Sequence, residues 1–447
     1  MTVSTAEPLI ESSSSSKGKH QKPGLLFFQE VKDFYIEHDT ENVFKELNEL
    51  CEKCWQDPRG DAWFEERRKC ADTADVKERK NFYNMMLQIG IELESKTQVF
   101  TRFHKELGSM GQRVKILDLC MAPGGYTASA LKYLPLAKAC GLTLPVNMGG
   151  HPVLLYKAAS NIEYLDLTML IHEIMAPWDE DTDITDYDGG GGGGGGVDAG
   201  SLTFPEPAPE HEHENRTLTV PSDHPDIANF STARPFRNMQ FNLIFCDGQV
   251  LRTHPRSPYR EKVEARRLLI SQAIIALQRL VPEGGTMVVL LHRLENPYTV
   301  QFLYLFSRFA DIELFKPAKK HAIRSSFYLI ARNIRARSPE ALEALGYWKR
   351  VWWNTTFEEG EMNALEMAGS ERPSPIADIT NEAEHVDEKF DESIERQKKE
   401  LLHILDVFGE KLIELARPLW RIQIAAMNRM LANGFEKPWS VTKENRG

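Results

Sequence analysis

Between Val114 and Arg332 seven short apolar runs follow one another: VKILDL (114–119), CGLTL (140–144), NIEYLDL (161–167), FNLIFCD (241–247), GGTMVVLLH (284–292), DIELF (311–315) and SSFYLIAR (325–332). Each has the length of a buried strand. Helical stretches lie between them, notably Ala128–Tyr133 and Val263–Leu280. Strands alternating with helices cannot pair as hairpins; they predict an α/β fold with a mostly parallel sheet. One interruption splits the series. Residues 177–238 contain eight consecutive glycines (Gly189–Gly196), several prolines and many acids. Such a composition cannot build a core, so a flexible surface insert is expected there.

The flanks are of a different texture. Residues 1–23 are polar and Ser-rich and read as a disordered tail. Residues 24–110 carry helical spacing, with Leu26, Phe27, Val31, Phe34 and Tyr35 recurring every three to four positions. The α/β region spans 111–337, and 338–447 is helical again. There Ile394, Leu401, Leu405, Phe408, Leu412 and Leu415 form an apolar stripe, and Pro418 should kink or end the helix that carries it. Cys51 and Cys54 form one CxxC inside a helical pattern; without two further ligands they predict packed thiols and no metal site.

No run of about 18 apolar residues predicts a membrane span, and the N-terminus lacks the basic and apolar regions of a secretion signal, so an intracellular protein is expected. The 65 acids and 54 bases give a net charge of −11, an unpromising balance for contacts with phosphate. The acidity is concentrated, however. Between Asp179 and Arg216 eleven acids stand against Arg216 alone, and the rest of the chain is close to neutral. Two basic stretches, Arg252/Arg256/Arg260 and Lys316/Lys319/Lys320/His321/Arg324, follow or precede strands, where open α/β sheets bind ligands.

The sharpest local feature is ILDLCMAPGGYT, residues 116–127. A strand ends near Asp118, and Pro123, Gly124 and Gly125 turn the chain into a helix whose N-terminus favours an anionic ligand group. The turn is neither GxGxxG nor a P-loop, which argues against dinucleotide and nucleoside-triphosphate sites. It resembles the first motif of the FtsJ (RrmJ)-type methyltransferases, which methylate ribose 2′-hydroxyls of RNA. CGLTLP, IEYLDLT, FNLIFCDG, EGGTMVV and KPAKKHAIRSSFYLIA resemble the family's later segments in order, over about residues 112–334.

The resemblance implies a Rossmann-like class I sheet, mostly parallel with the last strand antiparallel, and S-adenosylmethionine as cofactor. Asp118, Leu119, Cys120, Ala122, Pro123, Gly124, Gly125 and Tyr126 would wrap its methionine end, and Asp166 would accept from the adenine amino group. Thr143 stands where the superfamily usually has a ribose-binding acid. Of the family's Lys-Asp-Lys-Glu set, Asp247 matches the Asp, Leu290 replaces the central Lys and Ser326 the Glu, while Lys96 is the nearest candidate for the first Lys. His292, one pleat beyond Leu290 on the same face, could act as base in place of the lysine. Three readings follow: a methyltransferase acting on RNA, a non-catalytic module that keeps the fold to bind cofactor, RNA or protein, and a methyltransferase with a changed acceptor.

Overall fold

The computed structural model describes residues 23–57, 59–60, 76–106, 112–155, 159–176, 203–205, 217–358 and 388–433. In chain order the helices are α1 (Pro23–His38), α2 (Val43–Gln56), α3 (Val76–Thr97), α4 (Arg102–Glu106), α5 (Gly125–Tyr133), α6 (Ile171–Met175), α7 (Glu264–Arg279), α8 (Pro297–Phe309), α9 (Pro339–Phe357) and α10 (Glu388–Ala432). The strands are β1 (Lys115–Leu119), β2 (Lys138–Thr143), β3 (Ala159–Tyr164), β4 (Thr203–Pro205), β5 (Thr217–Thr219), β6 (Leu243–Cys246), β7 (Glu283–His292), β8 (Asp311–Phe315) and β9 (Ser326–Arg335).

Seven strands form one sheet in the order β3-β2-β1-β6-β7-β9-β8. All are parallel except β9, which runs antiparallel to both β7 and β8. The Rossmann-like α/β fold expected from the sequence is therefore present, including the antiparallel last strand. Every predicted strand forms within a few residues of its apolar run. The sequence reading named no helix between His292 and Asp311. Pro297–Phe309 fills that place, with Pro297 at its first turn and the Asn296 side chain accepting from Tyr298 N–H.

Alternation across the sheet divides the core in two. Leu117, Leu119, Ile244, Cys246, Val289 and Leu291 face α7, α8, α9 and α10. Ile116, Leu243, Phe245, Val288 and Tyr328 face α3 and α5. Asp118, Asp247 and Leu290 fall on the second face by parity, so candidate chemistry and the first-motif turn share one side of the sheet.

Two expectations are corrected here. Of the kink or end expected at Pro418, the end does not occur: α10 runs through it to Ala432. One backbone hydrogen bond is lost at a proline, but the apolar face on both sides of it (Leu412, Ala416, Leu419, Trp420, Met427) is buried, which outweighs that loss. α10 packs along α2, with Arg417 2.7 Å from Asp39. The second correction concerns the insert. Its glycine run and most of its acids lie outside the described residues, but its end is folded. Val220, Phe230 and Phe236 are buried, and Asp226 is 1% exposed. The apolar residues that make this possible are sparse, which is why composition alone conceals them.

Candidate active site

β1 delivers Asp118 and Leu119 to the carboxyl edge of the sheet, and Cys120 breaks the strand with φ 70°. The main chain then turns at Gly124 (φ 99°) into α5. The two glycines have different reasons. A side chain on Gly125 would strike α3, with Tyr83 carbonyl oxygen at 2.4 Å and Met86 Cβ at 2.6 Å from the new Cβ. One on Gly124 would meet Leu155 Cβ at 3.0 Å, in a backbone conformation that already disfavours it. Leu154 N–H donates to Pro123 carbonyl at 2.9 Å, so segment 151–155 lies over the turn. At both glycines it is neighbouring chain that a side chain would meet. α5 must lie close on α3, and the turn is covered by the loop that follows β2.

Asp247 follows β6, the strand paired with β1, and its carboxyl sits near that of Asp118. Asp118 accepts from Thr127 Oγ1, yet its Oδ1 is buried without a partner, and so is Asp247 Oδ1. Burial raises both carboxyls above the usual carboxylate range, and for Asp247 the nearby charge of Asp118 adds to it. Two acids this close cannot both ionise cheaply in an apolar enclosure. They hold protons in the folded protein at pH values where the unfolded chain has lost them. The stability this confers is full at low pH and is lost as pH rises from about 4 towards neutrality. Asp118→Asn should flatten that decline, since an amide oxygen can still accept from Thr127. Urea midpoints between pH 4 and pH 8 check this; an unchanged slope would contradict it.

A cavity of about 2120 Å³ opens at this edge. Cys120, Ala122, Pro123, Tyr126, Thr143, Asp166, Asp247, Leu290 and His292 line it; Asp118, Leu119, Gly124 and Gly125 stand behind its wall. Orphaned carboxylate oxygens beside such a cavity fit a ligand that carries positive charge, as the ammonium and sulfonium of S-adenosylmethionine do. Thr143 is 3% exposed and accepts from Ala122 N–H at 3.4 Å.

Asp166 is more committed than a solvated strand end. Its Oδ1 accepts from Thr168 N–H at 3.0 Å and Thr168 Oγ1 at 2.9 Å, and its Oδ2 lies 3.4 Å from His254 Nε2. An adenine amino group would have to share that second oxygen. Behind it Arg260, 2% exposed, sits among Asp166, Asp226 (3.0 Å) and Glu264 (3.3 Å). Arg256 donates to Leu251 carbonyl and pairs with Glu261. The first basic stretch is therefore partly spent inside the protein, where Arg256 and Arg260 are paired with acids. Of the acids that neutralise them, Glu261 pairs with Arg256 nearby in the chain, while Asp226, distant in sequence, and Glu264, on a helix, pair with Arg260.

Lys96 is not at the site. α3 starts beside the first-motif turn, Gly90 packs on Ser129, and Lys96 ends the helix at the opposite edge of the sheet, where Thr97 carbonyl accepts from Arg332. Spacing along the chain was the wrong measure, because α3 carries the chain away from the cavity. His292 does open on the cavity, and its Nε2 lies 2.9 Å from Gln249 Oε1. Desolvation by the wall behind it, then the charges of Arg324, Arg293 and Lys316, pull its pKa below the usual range, although the side chain is exposed on the cavity side. Leu290 lies across from Tyr328, whose hydroxyl bonds that of Tyr126. Ser326 is buried opposite His292, with no partner for its Oγ.

Sequence reasoning treated Lys316 only as one charge among five. It is 3% exposed and lines the cavity. The KP pair that ends β8 was the available signal, but a lysine before a proline in a basic run reads as solvated. Cys51 and Cys54 are free thiols at the cavity wall formed by α2. Burial, with Glu295 nearby, pushes Cys51 up to about 12, far from a thiolate. Among the described residues no cluster of three or more His, Cys, Asp or Glu side chains could hold a metal ion, and no helix is long and apolar enough to cross a membrane.

The profile of the FtsJ-like methyltransferases matches residues 96–334, more than half of the chain and the whole of the sheet. The chain belongs to the FtsJ-like methyltransferase family. Its sheet is that of a class I S-adenosylmethionine-dependent methyltransferase. No curated protein matches the chain. Two solved structures align with parts of it. An O-methyltransferase family protein from Burkholderia thailandensis does so at 11% identity and a TM-score of 0.28, over 65% of this chain and 71% of that one. The plantazolicin methyltransferase BpumL, in complex with SAH, does so at 9% identity and 0.23, over 69% and 99%. Likeness at that level adds nothing to the geometry of the site.

Proposed function

We propose that this FtsJ-like chain binds S-adenosylmethionine at the carboxyl edge of β1, β2 and β6 and methylates RNA at a ribose 2′-hydroxyl. The observation that carries the reading is the pair of carboxyls beside the first-motif turn and the cavity, fully buried Asp118 and half-buried Asp247, each with an Oδ1 that has no partner. When bound, the cofactor supplies an electrophilic methyl group on a cationic sulfur. The chain's part is to hold donor and acceptor in line, which by itself accounts for a large share of such a rate. Asp247, on the cavity wall, would orient the acceptor hydroxyl, and Tyr126 and Tyr328 would exclude water behind it. Lys319, exposed at the cavity, and its neighbours Lys320 and Arg324 would meet the phosphate backbone.

Calorimetry with S-adenosylmethionine should give heat of binding, and labelled methyl groups should pass to total RNA. Asp247→Ala should lower that transfer about 100-fold, in the range for misplacing a reacting group. No heat from folded protein would sink the cofactor site. Label on protein or on base atoms would point to a changed acceptor. One observation favours a second reading, a module that binds cofactor without turning it over. Leu290 and Ser326 occupy the Lys and Glu positions, and Lys96 lies at the far edge of the sheet. Binding without transfer to any acceptor would establish that reading.

A further inference from the structure

Lys316 Nζ donates to two main-chain carbonyls, those of Arg324 and of Ser326, the latter at 2.8 Å. A neutral amine has two N–H groups and one lone pair, so these two acceptors take both N–H groups and leave the lone pair open. An ammonium would bring a third N–H into a site where the amine is 3% exposed. The residue lies in the wall of the same cavity as Asp247, Leu290 and His292. It follows β8, which pairs with β9, and β9 pairs with β7, so the lysine approaches the cavity from the side of the sheet away from the first motif. Position 290, where the family pattern has a lysine, holds a leucine that is no substitute for an amine.

We propose that Lys316 is the proton acceptor of this site, an amine supplied from the end of β8 in place of the one absent at position 290. The inference rests on the methyltransferase reading above. In the step, the acceptor hydroxyl gives its proton to the Lys316 lone pair and its oxygen bonds to the methyl carbon. The sulfur–methyl bond breaks with its electron pair left on sulfur, and the positive charge passes from sulfonium to ammonium. Burial supports the same assignment, pulling the amine down to about 7. Of the groups around it, His292 on β7 has its pKa lowered, Arg324 shares its loop, and the Glu92 carboxylate on α3 accepts from Ala318 N–H at 2.7 Å.

Lys316→Arg separates a base from a staple. A guanidinium can donate to both carbonyls but does not give up its proton. Lys316→Arg and Lys316→Met should both bind S-adenosylmethionine in calorimetry within about threefold of the parent protein. Both should transfer methyl at least about 100-fold more slowly, and the acid limb of the parent rate profile, with its midpoint near neutrality, should vanish. Full transfer by Lys316→Arg would overturn the proposal while leaving the methyltransferase reading intact. A second measurement needs no turnover. Lysine labelled with ¹³C at Cε in the full chain should show one resonance, missing in Lys316→Met, that titrates near neutrality. Titration near the ordinary value of about 10.4 would overturn the proposal. If the parent protein binds cofactor but transfers nothing to RNA, the RNA reading falls. A titration near neutrality then keeps Lys316 as base for another acceptor, and an ordinary one removes it.

Discussion

Asp226→Ala should lower folding stability by about 3–5 kcal/mol, the loss expected when one member of a buried ionic cluster is removed. Asp226 is 1% exposed and accepts from Asn229 Nδ2, Ser257 Oγ and Tyr259 OH, each at 2.8 Å, with Arg260 Nε at 3.0 Å. Burial works against its charge, but these hydrogen bonds and Arg260 outweigh it and hold the carboxyl below its usual range. Removing it leaves Arg260 to share Glu264 with Arg267, which is 0% exposed. The loss should appear in urea denaturation at pH 7 and shrink as pH falls. A carboxyl with a depressed pKa contributes its stability above the unfolded value of about 4 and loses it below the folded one. A loss under about 0.5 kcal/mol, normal for a surface substitution, would mean that residues 220–238 are the loose insert their composition suggests. The cluster joins four segments that are far apart in the chain: the turn after β3, the end of the insert, the loop after β6 and α9 through Thr356. Its loss should therefore also loosen the Asp166 end of the cavity.

Gly125→Val should be comparably severe, at least about 3 kcal/mol, at the upper end of overpacking in a closed interface. Two of the atoms a new Cβ would meet, Tyr83 carbonyl oxygen at 2.4 Å and Leu87 nitrogen at 2.9 Å, belong to the α3 backbone and cannot swing aside. The test is stability measured with no cofactor present. If Gly125 were needed only to admit a ligand, Gly125→Val would unfold like the parent protein and show its defect only in binding. A lowered urea midpoint in the ligand-free protein would place the requirement in the α3–α5 contact. That contact positions the N-terminus of α5, and with it Thr127, which bonds Asp118. A shift between these helices would disturb the buried carboxyl pair as well.

Much of the fold was legible because it is written in short-range patterns. Seven apolar runs of strand length became the seven strands of the main sheet, and the antiparallel β9 followed from family resemblance. Asp118, Thr143, Asp166 and Asp247 all fall at the carboxyl edge because each closes a strand, and strand ends can be read from where an apolar run stops. The first-motif turn was equally readable, since proline and glycine restrict the backbone locally. The residues that misled are those whose role depends on distant partners. Arg256 and Arg260 look like a basic loop until Glu261, Asp226 and Glu264 are placed around them. Lys96 lies close to the site in sequence and far from it in space, because a helix of 22 residues carries the chain to the other end of the sheet.

By itself, the sequence determined the class of sheet, the strand that each candidate carboxylate ends, and the identities Leu290 and Ser326 on the candidate face. These depend on local periodicity and on residue identity, which need no coordinates. Only the tertiary structure decided which charges are free to meet a substrate. Desolvation and pairing are properties of the space around a group. Packing turned Arg260 into a buried structural cation, gave Asp118 and Asp247 orphaned oxygens, and enclosed Lys316 with two carbonyls at the cavity wall.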